Sequence, residues 1–123
     1  MIDLITDGGC YPNPGPAYYS FKVIQDNEIV AEANRQHIGN ATNNEAEYSG
    51  LLAGLEAVRE RLNDGELHIY TDSRLMCNQV RGQWRCKKKH LKPLVERAQK
   101  MLSGYNWRIE WLPRDFIFGY LGH

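Results

Sequence analysis

Apolar and polar residues alternate along the first forty positions in the way that β-strands require. Residues 2–6 (IDLIT) form a short apolar run, and residues 17–24 place Tyr19, Phe21 and Val23 on one side of a second strand. Asp26-Asn27 marks a turn before a third strand. Because the connections are short, the pattern predicts an antiparallel meander of strands at 2–6, 17–24 and 28–38.

From residue 42 the apolar spacing becomes helical. Thr42 and Glu45 have the spacing of a capping box, and Asn63-Asp64-Gly65 ends the segment, so a helix is expected to run to about Leu62. Small residues on this helix allow a neighbouring backbone to approach closely. The apolar stripe contains Tyr48, Leu51, Leu55, Val58 and Leu62, and the small residues are Gly50, Ala53, Gly54 and Ala57.

The remaining pattern predicts an α/β fold with a mixed five-stranded sheet, three strands antiparallel and two parallel, and flanking helices. A strand, a helix and another strand in succession indicate a right-handed crossover and parallel pairing. The chain has 123 residues, so we expect one domain covering 1–123. Further strands are predicted at 66–71 and 106–112, and further helices at 73–80 and 90–103.

Three carboxylates are predicted to meet at one edge of this sheet. Asp7 and Asp72 each end a strand, and the carboxyl edge is where open α/β sheets place ligands. Glu47 lies on the apolar stripe of the first helix, where a carboxylate is costly unless it is paired or binds metal. The alternative is that Asn44 caps the helix and Glu47 completes an Asn-x-x-Glu capping pattern.

Hard oxygen ligands without a His or Cys cluster favour Mg²⁺, with Mn²⁺ as a substitute. Three converging carboxylates would repel one another strongly without such a cation. A pair of such ions about 4 Å apart can activate a water and stabilise the leaving oxygen of a phosphodiester. These residues are therefore candidate metal ligands and catalytic groups.

Composition and charge narrow the class of partner. The formal net charge is zero, but no acidic residue occurs between Asp72 and Glu96. A basic stripe with an embedded aromatic residue, Trp84, suits a polyanion, although a solvated helix end is the alternative. The basic residues of this window are Arg74, Arg81, Arg85, Lys87, Lys88, Lys89 and Lys92.

The cysteines and the absence of a long apolar run bear on location. Cys10, Cys77 and Cys86 are odd in number and contain no C-x-x-C pair, which argues against a disulfide framework or a zinc site. They favour a reducing compartment. The chain shows no pattern of a signal peptide or membrane span, so we expect a cytoplasmic protein without a membrane partner.

The joint pattern of six short motifs resembles type 1 ribonuclease H. The motifs are TDGG at 6–9, NPGP at 13–16, TNNEAEY at 42–48, YTDS at 70–73, GQW at 82–84 and WLPR at 111–114. The resemblance implies the ribonuclease H-like fold and an endoribonuclease that hydrolyses the RNA strand of RNA–DNA hybrids. It also implies dependence on Mg²⁺ and products with 3′-hydroxyl and 5′-phosphate ends.

The resemblance also implies roles for individual residues. Asp7, Glu47 and Asp72 match the metal-binding carboxylates. Asn13 and Thr42 match positions that cradle a DNA phosphate, and short amides such as Asn43 and Asn44 suit base edges or a ribose 2′-hydroxyl. The alternative interpretation of Asn43 and Asn44 is that they only cap the helix. The alternative for the loop at 13–16 is that it only forms a rigid turn. The resemblance also implies that a basic segment binds the DNA strand, through Arg74, Trp84, Arg85, Lys87, Lys88 and Lys89. Many family members carry a larger basic protrusion here, which is reduced or absent in this sequence.

The C-terminus departs from the family pattern. A fourth acidic ligand is expected seven residues after Arg114, at the start of a C-terminal helix, but Leu121 stands there. Asp115 and the terminal His123 are alternative replacements, and the C-terminal helix is expected to be short or missing. The apolar tail at 116–121 is predicted either to pack on the sheet or to mediate self-association of an otherwise monomeric protein.

Three functions remain open at this point. The leading hypothesis is the hybrid-specific endonuclease, supported by the intact carboxylates. A catalytically weak or inactive module that binds hybrid or dsRNA would explain the missing acid. A DNA nuclease on the same scaffold is the third, which the Asn43-Asn44 pair disfavours because short amides suit a ribose.

Overall fold

The computed structural model describes residues 1–122. The predicted contribution of His123 lies outside these residues. Strands and helices follow the order β1 Ile2–Cys10, β2 Gly15–Gln25, β3 Glu28–Ala41, α1 Asn43–Arg59, β4 Gly65–Thr71, α2 Arg74–Val80, α3 Lys92–Leu102, β5 Tyr105–Trp111 and α4 Arg114–Leu121.

The strands form one mixed sheet in the order β3-β2-β1-β4-β5. β1 pairs antiparallel with β2, and β2 with β3, whereas β1–β4 and β4–β5 are parallel. This arrangement confirms the predicted mixed five-stranded sheet. The parallel pairing of β1 with β4 runs to Ile5↔Tyr70, so Asp7 and Asp72 both lie just beyond it and come close together.

The first three strands are longer than their alternation predicted. β1 continues past residue 6 to Cys10, and its last residues pair with β2 as Gly8↔Tyr19 and Cys10↔Ala17. β3 continues to Ala41 and includes register shifts against β2. Glycines and bulges hide the strand period there, so cross-strand pairing rather than side-chain pattern decides where these strands end.

One face of the sheet carries the main core. Leu4 and Val23 from the sheet pack with Leu51 and Leu55 of α1, and all four are at most 2% exposed. α1 ends at Arg59, earlier than predicted, although the amide of Leu62 still donates to the carbonyl of Val58. The predicted helical stripe is therefore the buried face of α1.

The opposite face is covered by α4. Strand residues alternate between faces, so Ile5 points away from Leu4 and packs with Ile117 and Leu121 of α4. The C-terminal helix is thus present as eight residues. Two aromatic side chains of the same helix remain exposed, Phe116 at 61% and Tyr120 at 53%.

Within residues 1–122, none of the helices combines the length and the apolar character needed to cross a membrane.

Candidate active site

Three acidic side chains meet just beyond the parallel pairing of β1 with β4. Asp7, Glu47 and Asp72 each offer a carboxylate oxygen, and these oxygens lie within 4.8 Å of one another. We refer to these three residues as the carboxylate cup. Asp7 is 4% exposed, Glu47 is 8% exposed, and the side chain of Asp72 is 5% exposed. The structure therefore brings together the three residues that the sequence selected.

Two close backbone approaches set the position of Glu47 against Asp7. A Cβ added to Gly8 would lie 2.3 Å from the Ala46 carbonyl oxygen and 2.6 Å from the Glu47 nitrogen. A Cβ on Gly50 would lie 2.9 Å from the carbonyl oxygen of Asp7. Since no other residue leaves that space, glycine lets α1 rest directly on β1. The sequence indicated this role for Gly50, but it gave no reason to single out Gly8.

A local hydrogen-bond network fixes Asp72. Ser73 caps α2, since its hydroxyl accepts from the Met76 amide at 3.1 Å. The Ser73 amide donates to the Thr71 hydroxyl at 3.0 Å. The indole Nε1 of Trp111 donates to the Asp72 carbonyl at 3.1 Å. Asp72 is thus held between the end of β4 and the start of α2, and Trp111 was not anticipated in this role.

Burial makes the cup electrostatically unfavourable without a cation. Burial, followed by the charge of Asp72, raises the pKa of Asp7 from 3.8 to about 6. Burial also raises the pKa of Glu47 well above its ordinary value, and the charges of Asp72 and Asp7 add to the shift. The buried Oε1 of Glu47 and Oδ1 of Asp72 have no hydrogen-bond partner. Hard, unsatisfied oxygen donors at this spacing fit a divalent cation such as Mg²⁺ or Mn²⁺.

A cleft of about 290 Å³ opens beside the cup and connects it to the start of α1. Asn43 and Asn44 line this cleft. The side-chain oxygen of Asn43 accepts a hydrogen bond from the backbone amide of Cys10 at 3.0 Å. The backbone amide of Asn43 donates to the side-chain oxygen of Asn13 at 3.1 Å. The loop after β1 is therefore tied to α1 by side-chain amides, and Asn44 lines the cleft. Other lining residues include Tyr18, Ser73, Arg114 and Phe118.

The cap of α1 is the predicted one. Thr42 accepts from the Glu45 amide at 3.1 Å, and the Glu45 carboxylate accepts from the Thr42 amide at 2.9 Å. This reciprocal pair is a capping box. The alternative in which Asn44 caps the helix and Glu47 completes the box is wrong, because Thr42 precedes the helix and Glu47 lies in the cup.

The predicted basic residues do not line the cleft. Residues 84–89 lie in irregular structure between α2 and α3, and none of them lines the cleft. Trp84 is 49% exposed, and Arg85, Lys87, Lys88 and Lys89 are also exposed. Arg74 stacks over the ring of Trp111 with its guanidinium carbon 4.0 Å from the ring centroid. The structure thus leaves the basic residues available to solvent without placing them at the cup.

The C-terminal side of the cup carries a cation, Arg114, which belongs to the WLPR motif at 111–114. The Nε of Arg114 lies 3.3 Å from Oδ2 of Asp72. Asp115 is exposed in the first turn of α4 and does not belong to the close carboxylate group. Leu121 is buried against Ile5 and Ile117. From the sequence Arg114 is a landmark of the WLPR motif, and its contact with Asp72 emerges only when α4 packs beside the cup.

Comparisons with known proteins agree with this geometry. A family model described as reverse transcriptase-like matches residues 7–117. Together with the sheet order and the carboxylate cup, this match defines a protein of the ribonuclease H-like class.

Three proteins illustrate the likeness. The structure of the N-terminal RNase H domain of Rv2228c from Mycobacterium tuberculosis superposes with a TM-score of 0.88 at 37% identity, covering 98% of this chain and 94% of that one. Ribonuclease HI of Halobacterium salinarum is 38% identical over 110 residues, covering 88% of this chain and 54% of its own length. LC11-RNase H1, solved in complex with an RNA/DNA hybrid, gives a TM-score of 0.86 at 29% identity, covering 94% and 88%.

The chain belongs to the type 1 ribonuclease H family. It spans 30% of the length of three mycobacterial relatives that are 42% identical to it over 111 residues. The likeness to those relatives therefore concerns one part of longer proteins.

Proposed function

We propose that this chain is an endoribonuclease that hydrolyses the RNA strand of RNA–DNA hybrids in a divalent-metal-dependent reaction. The observation that carries the proposal is the carboxylate cup, with three ligand oxygens within 4.8 Å of one another beside an open cleft. The hybrid substrate is supported by the relative solved with an RNA/DNA hybrid. A cytoplasmic location stays a prediction.

The chemistry requires a water to add to phosphorus while the P–O3′ bond breaks. The phosphate stays on the 5′ end of one product, and the leaving O3′ takes a proton to become a 3′-hydroxyl. Asp7, Glu47 and Asp72 would hold the cation, with Mg²⁺ as the expected ion and Mn²⁺ as a substitute. When bound, the cation neutralises developing charge and acts as a Lewis acid on the phosphodiester.

The residues around the cup have separate tasks in this proposal. Asn43 and Asn44 line the cleft and present amides that can both donate and accept, which suits the 2′-hydroxyl of a ribose in a shallow minor groove. Thr42 caps the start of α1, and Asn13 ties the loop after β1 to that helix. In this proposal the side chains of Thr42 and Asn13 contact a phosphate of the DNA strand. The exposed basic residues at 85–89, with Arg74 and Trp84, add attraction for the DNA strand.

A second candidate is a weakly active or inactive module that binds hybrid or dsRNA. The burial of Leu121 at the position of the fourth acid favours it, because an apolar side chain in a packed cluster cannot serve as a ligand.

For the nuclease, the missing fourth acid affects the metal dependence. With three carboxylates, one ion is expected to bind well and a second weakly, so we expect activity that requires high metal concentration and responds to Mn²⁺.

One assay separates these candidates. The protein is incubated with labelled RNA–DNA hybrid, dsRNA, dsDNA and single strands, with Mg²⁺, Mn²⁺ or chelator, and both cleavage and retardation are recorded. We expect cleavage of the hybrid RNA alone, and a loss of about 10³-fold or more in Asp7→Asn. Retardation of uncut hybrid at millimolar Mn²⁺ would instead establish the binding module, and cut dsDNA would establish a DNA nuclease.

A further inference from the structure

A bulge in β3 holds Arg35 in line with Asp7. The pairing with β2 shifts between residues 19 and 21, so two β3 residues, 34 and 35, lie opposite Ser20, which itself pairs with Asp7 of β1. A bulge of this kind re-aims a side chain. Arg35 has a left-handed φ of 50°, which is uncommon for a residue other than glycine. The buried hydroxyl of Ser20 accepts a hydrogen bond from the Arg35 amide at 2.9 Å and so stabilises this conformation.

Tyr18 connects Arg35 to the cleft beside the carboxylate cup. Tyr18 lines this cleft, and its hydroxyl oxygen would lie 3.3 Å from a Cβ added to Gly9, two residues after Asp7. Side chains two residues apart on a strand share a face, so Tyr18 and Ser20 point to the same side of β2. The guanidinium carbon of Arg35 lies 5.3 Å from the centroid of the Tyr18 ring. The ring therefore supports the guanidinium next to the cleft.

The charge of Arg35 is available at this place. Arg35 is exposed, and within residues 1–122 it makes no ion pair with a carboxylate. Burial raises the pKa of Tyr18, and the charge of Asp7 adds to this shift, whereas the charge of Arg35 opposes it. Both charges thus act on the same phenol. An anion that enters the cleft would meet the positive charge of Arg35 close to the cup.

We propose that Arg35 binds a phosphate of the nucleic-acid strand that enters the carboxylate cup, and that the ring of Tyr18 holds its guanidinium in position for this contact. A planar guanidinium can donate two parallel N–H bonds to a phosphate while it stacks on an aromatic face. The inference rests on the proposed function, because the strand in the cup is the one that is cleaved. It adds a phosphate contact from β3, a strand in which the sequence predicted no binding residue.

The test measures binding of a labelled RNA–DNA hybrid by fluorescence anisotropy, with chelator and at several salt concentrations, so that no cleavage is needed. We expect Arg35→Gln to bind about fivefold more weakly at low salt, and its slope of log affinity against log salt to be shallower by about 1. Arg35→Lys keeps the charge and should restore the slope. Its affinity should lie between the other two proteins, because lysine lacks the paired donors of arginine.

Two variants of Tyr18 test whether it acts through Arg35. Tyr18→Phe keeps the ring and should bind the hybrid within about twofold of the wild type. Tyr18→Ser removes the ring and should bind about threefold more weakly. The double variant with Tyr18→Ser and Arg35→Gln should bind within about twofold of Arg35→Gln alone, whereas the losses of independent sites would multiply.

Arg59 provides a matched control, since Arg59→Gln makes the same change of charge. Arg59 is exposed in the last turn of α1, twelve residues after Glu47 and therefore about 18 Å further along the helix. Arg59→Gln should leave both the affinity for the hybrid and the salt slope unchanged. Thermal melts confirm that each variant is folded before its binding is compared.

Each outcome bears on the inference separately from the proposed function. Weaker binding and a shallower slope in Arg35→Gln but not in Arg59→Gln support the phosphate contact, even if no RNA is cleaved and the nuclease proposal fails. Equal affinities and slopes in these two variants overturn the inference and leave the nuclease proposal standing. A double variant that shows the product of both single losses overturns the role given to Tyr18. If the wild type neither binds nor cuts the hybrid at low salt, both proposals fall.

Discussion

Two sides of the site are built in different ways. On the side formed by β1, β4 and α1, each carboxylate of the cup is fixed by backbone packing or capping, and all three are nearly buried. On the side formed by α4, the contact with the cup is one exposed arginine at 3.3 Å from Asp72. The first side is therefore held by buried contacts, whereas on the second side the group beside Asp72 belongs to a side chain that is 74% exposed.

The two sides also differ in what a substitution would disturb. Beside the cup, a side chain added at Gly8 or Gly50 would break a close backbone contact between β1 and α1. At the start of α4, by contrast, Arg114 and Asp115 are exposed, and the helix is held by Ile117 and Leu121 instead. Substitutions that test this contrast should have large effects on the first side and small effects on the second.

The largest structural effect is expected for Gly8→Ala. The added Cβ would lie 2.3 Å from the Ala46 carbonyl oxygen, so α1 must shift and carry Glu47 away from Asp7. We expect a loss of about 1–3 kcal/mol in the free energy of unfolding and a loss on the order of 10²-fold in hybrid cleavage. Urea unfolding and the cleavage assay measure the two effects.

Gly9→Ala is the matched control, because its Cβ would lie 3.3 Å from the Tyr18 hydroxyl, at the far end of a side chain. It should cost less than about 1 kcal/mol. Equal losses in both variants would show that the contact between β1 and α1 has no special role in positioning Glu47.

A smaller effect on function is expected when the exposed lysines between α2 and α3 are replaced, because they belong to neither side of the site. Replacing Lys87, Lys88 and Lys89 together by Gln removes exposed charges that do not line the cleft. We expect hybrid binding to weaken about tenfold at low salt, and the slope of log affinity against log salt to become shallower by about 2–3. The maximal rate should change less than twofold.

Lys100→Gln, on α3, is the control for that experiment and should leave the salt slope unchanged. Binding is measured by fluorescence anisotropy with chelator at several salt concentrations. An unaltered slope in the triple variant would favour the plainer interpretation, in which residues 85–89 are a solvated segment without a nucleic-acid contact.

The strain within the cup should also appear as a pH-dependent stability. Because the pKa of Asp7 is raised to about 6 in the folded protein, the stability that this group contributes is present below about pH 4 and is lost as the pH rises through 6. Without metal, Asp7→Asn should therefore be more stable than the wild type at pH 7.5, by about 1–3 kcal/mol. The difference should vanish below about pH 4.

Urea unfolding with chelator at pH 4 and pH 7.5 measures this effect, with Asp64→Asn as the control because Asp64 is exposed. Saturating Mn²⁺ should reverse the order at pH 7.5, since a ligand that binds the folded wild type stabilises it. A wild type that is as stable as Asp7→Asn at pH 7.5 without metal would show that the cup stores no electrostatic strain.

The regular elements and the cup were predictable because they leave periodic or positional signals. The stripe of α1, the Thr42–Glu45 capping box and the aspartates that follow the apolar runs at 2–6 and 66–71 each leave a local signal, although β1 continues past Asp7. The lengths of β1 and β3 were not predictable, since pairing with β2 extends them through glycines. The roles of Gly8 and Trp111 in positioning the cup were not predictable either. Gly8 contacts the backbone of α1 and Trp111 donates to the carbonyl of Asp72, and both contacts join residues far apart in the chain.

The smallest effect is expected for Asp115→Asn. Asp115 was an alternative for the fourth metal ligand, but it is exposed on α4 and lies outside the group of carboxylates within 4.8 Å of one another. In the first turn of a helix its charge contributes a few tenths of a kcal/mol through the helix dipole. We therefore expect the cleavage rate to change less than about twofold, as measured at several Mn²⁺ concentrations beside Asp7→Asn. A loss of orders of magnitude would mean that Asp115 moves into the cup when metal and substrate bind, and the side formed by α4 would then contribute a ligand after all.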